Sequence, residues 1–215
     1  MKGVFVIKPP RPKCTCTWDV SIVLNWLEKC FSLQNLPLKE LTMKLVALLA
    51  LSTVQRVQVL KMLKINMLSV FGDYVIFTID ELTKTSEPGK SLQKVRIDTF
   101  TNKKLCVVHT MNYYIKQTEK FRKSNQLLVS YKTFKEVSSS TIARWLKEVL
   151  HLAGIDTSIF KAHSYRSAST SAAFSCGISL NDVLNTANWT NANTFYRFYN
   201  RETRDSFSRI VLSKE

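Results

Sequence analysis

The sequence predicts a mainly α fold with one small β-hairpin inserted early, and three observations lead there. Only five Gly and five Pro occur in 215 residues. Three of the prolines, Pro9, Pro10 and Pro12, fall within the first dozen positions, so the remainder of the chain has few breaks. Apolar residues then recur at helical spacing in most segments, whereas a single stretch alternates and is followed by the turn-forming Glu87-Pro88-Gly89-Lys90.

Residues 1–17 read as an irregular basic arm. Over 18–33, Trp18, Ile22, Val23, Trp26, Leu27 and Cys30 fall at helical spacing. A second helix begins near Pro37, which suits a first-turn position, and its run through Leu51 is apolar nearly all round, the pattern of a central helix. A third helical segment covers 55–62. Residues 73–79 alternate, with Val75, Phe77 and Ile79 on one face, and pair with 95–100 to form the hairpin. Helices resume over 105–122 and 140–152, the latter entered through serine and threonine capping residues and closed by Gly154. The final cluster comprises 163–176, stopped by Gly177, then 180–187, 192–200 and a short tail at 204–212.

Composition narrows the function. A 45% hydrophobic content with 12 Phe excludes disorder as the main state. The longest apolar stretch, around 45–51, is far shorter than the roughly 20 residues that span a bilayer, and no signal-peptide pattern precedes Pro9, so a soluble intracellular protein is expected. Thirty-one Lys plus Arg against 16 Asp plus Glu leave a net charge of +15, which favours a polyanionic partner, nucleic acid first. Five cysteines at irregular spacing do not make a disulfide framework. Cys14-Thr-Cys16 has no second pair to complete a metal site, and His109, His151 and His163 are scattered, so neither metal nor cofactor is expected.

The most informative stretch is His163-Ser-Tyr-Arg166. Three apart on a helix, an imidazole and a guanidinium face the same way and can reach one anion. Behind them Ala168, Ser169, Ser171, Ala172 and Ala173 permit close packing. Downstream lies Trp189-Thr-Asn-Ala-Asn-Thr-Phe-Tyr-Arg-Phe-Tyr199, and upstream Leu51-Ser-Thr-Val-Gln-Arg56 places a lone Arg after the apolar helix.

Together these residues resemble the catalytic domain of the tyrosine recombinase (phage integrase) family. That family's active-site order is Arg, a hairpin Lys, His-x-x-Arg, His or Trp, then Tyr. The likeness covers about 18–212 and is closest in style to recombinases of eukaryotic mobile elements, the Crypton and DIRS-like groups. These share the Gln-Arg of the first box, the Lys84-Thr-Ser-x-Pro-Gly-Lys90 of the hairpin and the final Thr-Phe-x-x-Phe-Tyr.

The resemblance implies a tyrosine recombinase fold that breaks and rejoins DNA through a 3′-phosphotyrosine, for integration or site-specific recombination. By that resemblance Arg56 and Arg166 grip the non-bridging oxygens of the scissile phosphate, and His163 adds a hydrogen bond. Lys84 protonates the departing 5′-oxygen, with Lys90 as the alternative. Trp189 takes the place of a second histidine. Tyr199 is the nucleophile and Tyr196, one turn earlier, its competitor. Tyr199 lies ten positions after Trp189, one more than in bacterial and phage members, where the nucleophile would fall at Phe198. The mobile-element ending accounts for the shift. No metal enters this chemistry, and the phosphotyrosine conserves bond energy, so rejoining needs no ATP. The implied partners are double-stranded DNA and further copies of the chain, in the nucleus and away from membranes. Lys103, Lys104, Lys116, Lys120, Arg122, Lys123, Lys132, Lys135, Arg144 and Lys161 are candidates to line the DNA face.

Two features depart from the family pattern. Val59, beside Gln58, stands where an acidic residue usually follows the first-box Arg. About seventeen residues precede the first helix, too few for the helical core-binding domain that closes a clamp around the duplex, so 18–215 is expected to be a catalytic half. The alternative readings are a DNA-binding remnant without the reaction and a relaxing enzyme like the type IB topoisomerases.

Overall fold

The computed structural model describes residues 16–30, 32–83, 89 and 91–203. The tip of the hairpin, with Lys84 and Lys90, and the tail expected at 204–212 lie outside the described residues, as does the arm up to residue 15.

The expected central helix is α2, Leu38–Thr53, following α1, Val20–Lys29. Every residue from Leu41 to Ala50 is buried, as a helix apolar on all sides requires. One of them is charged: Lys44 donates from Nζ to the carbonyl of Leu27 near the end of α1 at 2.5 Å. That end carries the negative pole of the helix dipole, which stabilises the ammonium. α2 packs against α4 (Val107–Thr118), α5 (Ser139–Leu152) and α6 (Ser164–Ser175). Between α2 and α4 come the short α3, Val57–Lys61, and an antiparallel sheet.

The hairpin is β3, Tyr74–Thr78, with β4, Lys94–Asp98, in a register that sets Val75 opposite Ile97 and Phe77 opposite Val95. These four side chains and Ile79 are buried. A third strand, β2 (Leu68–Val70), joins the free edge of β3 and was not expected. At three residues it is too short to show an alternation, and Val70 is exposed.

The caps follow local chemistry. Ser138 Oγ accepts from Thr141 N–H at 3.2 Å to open α5, and Gly154 closes it with φ of +87°. Gly177 ends α6 in the same conformation, also at +87°. α7, Leu180–Thr186, and α8, Ala192–Phe198, complete the helices. The expected arm is not irregular to its end: Cys16–Thr17 forms β1, which pairs in parallel with β5, Glu202–Thr203, just beyond Tyr199.

Most apolar side chains form one core around α2. A second, smaller cluster gathers Val54, Val183, Ala187, Trp189, Phe195 and Tyr199. No helix among the described residues is long and apolar enough to cross a membrane.

Candidate active site

The second cluster is the floor of the site. α2 ends at Val54, whose φ of 54° is left-handed. A β-branched residue strains there, at a cost on the order of 1–3 kcal/mol, and persists only where its surroundings hold it. The holding comes from Gln55. Its buried amide donates to the carbonyls of Thr53 (3.1 Å) and Thr186 (3.0 Å) and accepts from Gln93 Nε2 (2.9 Å). One side chain thus ties the end of α2 to the end of α7 and to the segment entering β4. Arg56 follows at the N-cap of α3, half-buried, with its carbonyl accepting from Val59 and Leu60.

α6 supplies the second guanidinium. Arg166 is only 2% exposed, and Nη2 donates to the carbonyl of Ala187 at 2.9 Å. Nε and Nη1 are buried with no hydrogen-bond partner among the described residues. The guanidinium carbon lies 5.0 Å from the ring centre of Trp189 and 5.6 Å from that of Tyr199. Burial pushes its pKa down to about 10; the nearby Tyr199 phenol opposes the shift and the like charge of Arg56 adds to it. The group therefore stays charged at neutral pH, with two donors unspent. That is a site prepared for an anion.

His163 occupies the N-cap of α6 and is exposed. Its Nε2 shares a 3.2 Å hydrogen bond with the hydroxyl of Tyr199, at the C-cap of α8. The Tyr199 ring lies against Trp189, 4.2 Å between centroids and tilted by 33°. Trp189 is set by the turn that leaves α7, where Asn188 adopts φ of 52° and the Trp189 N–H bonds the carbonyl of Leu184 at 2.9 Å. Tyr196, by contrast, is 49% exposed, and its ring meets Phe174 and Phe195.

The fold therefore brings His163, Arg166, Trp189 and Tyr199 together, with Arg56 close enough to act on Arg166 electrostatically. Lys84 and Lys90 are outside the described residues. Of the basic residues named for a DNA face, all but Arg122 are exposed. Arg122 is instead committed to its own chain, donating to the carbonyls of Gln126 (2.7 Å) and Leu127 (2.9 Å). A groove of about 950 Å³ is lined by Gln55 together with Thr53, Gln93, Arg96, Thr186 and Asn188 among others. No group of three or more His, Cys, Asp or Glu residues that could hold a metal ion occurs among the described residues.

Sequence reasoning passed over two residues that shape the site. Local sequence marks Gln55 as the start of a helical segment and part of a motif, and Ser171 as one of several small residues that permit close packing. Ser171 donates to the Tyr199 carbonyl at 2.6 Å, a contact 28 positions away in sequence that no local pattern signals.

Comparison with known proteins agrees with this fold. XerA recombinase superposes with a TM-score of 0.66 at 16% identity, over 95% of this chain and 64% of its own. XerH site-specific recombinase, bound to its palindromic difH substrate in a post-cleavage complex, gives 0.64 at 14% identity, over 85% of this chain and 50% of its own. A lambda integrase (75–356) dimer bound to a COC′ core site gives 0.60 at 16%, over 99% and 69%. This chain thus spans half to about two thirds of the Xer chains. No curated protein matches it. The model of the phage integrase family matches residues 29–205, most of the chain, which therefore belongs to that family, the tyrosine recombinases.

Proposed function

We propose that this chain breaks and rejoins double-stranded DNA through a 3′-phosphotyrosine, in site-specific recombination or integration. The observation that carries the reading is the meeting of the Tyr199 hydroxyl with His163 Nε2, at 3.2 Å, beside the unpartnered Nε and Nη1 of buried Arg166. A scissile phosphate set against that guanidinium takes up both donors, and Arg56 grips it from α3. The Tyr199 oxygen attacks phosphorus and the bond to the 5′-oxygen breaks. Charge on the phosphoryl oxygens is met by the two guanidiniums and by His163, in a partly buried site where such contacts are strong. The phenolic proton leaves through its hydrogen-bonded neighbour. Lys84 donates a proton to the departing 5′-oxygen. Rejoining is the reverse, with a second 5′-hydroxyl as nucleophile.

The net charge of +15 and the exposed lysines support a duplex partner. Xer and lambda neighbours solved with DNA, one of them a lambda integrase tetramer on a Holliday junction, support action by several copies. Origin in a Crypton- or DIRS-like element, and work in the nucleus, rest on the hairpin and terminal motifs.

Nicked duplexes that trap the cleaved strand test the reading. A covalent protein–DNA species is expected, insensitive to EDTA, lost in Tyr199→Phe and kept in Tyr196→Phe. Loss in Tyr196→Phe alone, or a block by EDTA, overturns the assignment. Duplex binding without any adduct supports the remnant reading.

A further inference from the structure

We propose that Ser171 is a positioning residue for the nucleophile, its hydroxyl holding the backbone of Tyr199 so that the phenol points at the anion grip. The inference rests on the reading of Tyr199 given above and names a residue that acts through it. Tyr199 does not sit inside α8 but ends it, with φ of −126° and ψ of −25°. A carbonyl at a helix end lacks the N–H that a following turn would supply. Ser171 supplies that donor at 2.6 Å, and the same oxygen accepts the N–H of Arg201 at 3.0 Å. One hydroxyl therefore fastens the chain at two points immediately after the Tyr199 side chain. The Tyr199 N–H is fixed as well, to the carbonyl of Phe195 at 2.8 Å.

Three points of attachment set the direction in which the side chain leaves the backbone, and the contacts with Trp189 and His163 set the ring. Ser171 is 3% exposed, so water does not compete for its bonds. Packing alone does not require a hydroxyl at this position. Ala168, Ala172 and Ala173 on the same helix serve close approach without one. The helix that presents His163 and Arg166 also carries Ser171, so the grip on the phosphate and the hold on the attacking residue share one rigid body. Misplacement of a reacting group by about 1 Å costs around 100-fold in rate. Releasing the Tyr199 backbone therefore slows attack and leaves DNA affinity alone.

Single-turnover adduct formation with the full chain tests this, with duplex affinity measured alongside. Ser171→Ala is expected to slow the adduct-forming step by about 10- to 100-fold at unchanged affinity. Ser171→Thr, which keeps the hydroxyl, is expected to restore most of the rate. A second measurement needs no reaction: 3-fluorotyrosine at position 199, read by ¹⁹F NMR, should shift toward the free amino acid in Ser171→Ala and stay in place in Ser171→Thr. An unchanged rate in Ser171→Ala, equal losses in both variants, or a fluorine signal that ignores the alanine substitution overturns the proposal. Adduct formation by Tyr199→Phe overturns instead the choice of nucleophile, and the fluorine signal still reports on the hold.

Discussion

At the scale of a residue, Arg166 is the most unusual group among the described residues. It is charged, nearly inaccessible, and bonded to protein through one of its nitrogens, with no carboxylate among the described residues to neutralise it. An unpaired buried charge destabilises a fold unless something answers it, and the lowered pKa records that cost. The function proposed above accounts for the arrangement: in it, the compensating charge arrives with the DNA phosphate. Stability and activity should therefore part company here. Arg166→Met is expected to abolish adduct formation, by about 10³-fold or more, while the melting temperature of the DNA-free protein holds or rises. A clear fall in melting temperature would mean that the guanidinium is a structural strut. A milder change, Arg166→Lys, keeps the charge but loses the planar fork, so it should also fail to support normal cleavage.

At the scale of an element, the turn from α2 to α3 decides where Arg56 goes. Val54 takes the strained left-handed step and Gln55 locks it with three hydrogen bonds to three separate parts of the chain. Gln55→Leu keeps the bulk and leaves two carbonyls and the Gln93 amide unanswered. It is expected to lower the unfolding free energy by about 2–3 kcal/mol in denaturant titration and to slow cleavage through Arg56. Full activity in that variant would show that Arg56 is placed without the network. Legibility divides along the same line. α2 was visible as a helix with no polar face, α5 from its serine entry and glycine exit, and the hairpin from the alternation of Val75, Phe77 and Ile79, because each is written in neighbouring residues. The gathering of His163, Arg166, Trp189 and Tyr199 was approached through motif order, since their roles were carried by resemblance. β2 escaped because three residues have no period. The left-handed Val54, the reach of Gln55 to Thr186 and the bond from Ser171 to Tyr199 escaped because tertiary packing imposes them against local preference. Arg122 shows a related limit: its charge is written in the sequence, but the carbonyls it bonds are ones that only the folded loop brings near.

At the scale of the whole molecule, the buried Lys44 makes stability depend on pH. Burial pushes its pKa from the ordinary 10.5 down to about 8. Below pH 8 the ammonium is charged in both folded and unfolded chains, and its desolvation weighs fully against folding. Between about pH 8 and pH 10 the unfolded chain holds the proton more often than the folded one, so stability should rise with pH by up to about 1.4 kcal/mol per unit. Above that range the buried phenols of Tyr114 and Tyr165, whose pKa values burial raises, act in the opposite sense. Lys44→Met is expected to remove the rise in urea unfolding measured at pH 7, 8 and 10. A rise that survives the substitution assigns it to other groups. The short ladder between Cys16–Thr17 and Glu202–Thr203 closes next to the phenol–imidazole pair. Its second strand lies three residues beyond Tyr199. Its first strand leads directly to Trp18, whose indole N–H donates to Ser164 Oγ at 2.8 Å, next to His163. The phenol and the imidazole are thus each tied to this one short ladder, the first through the chain from Glu202 and the second through Trp18 and Ser164.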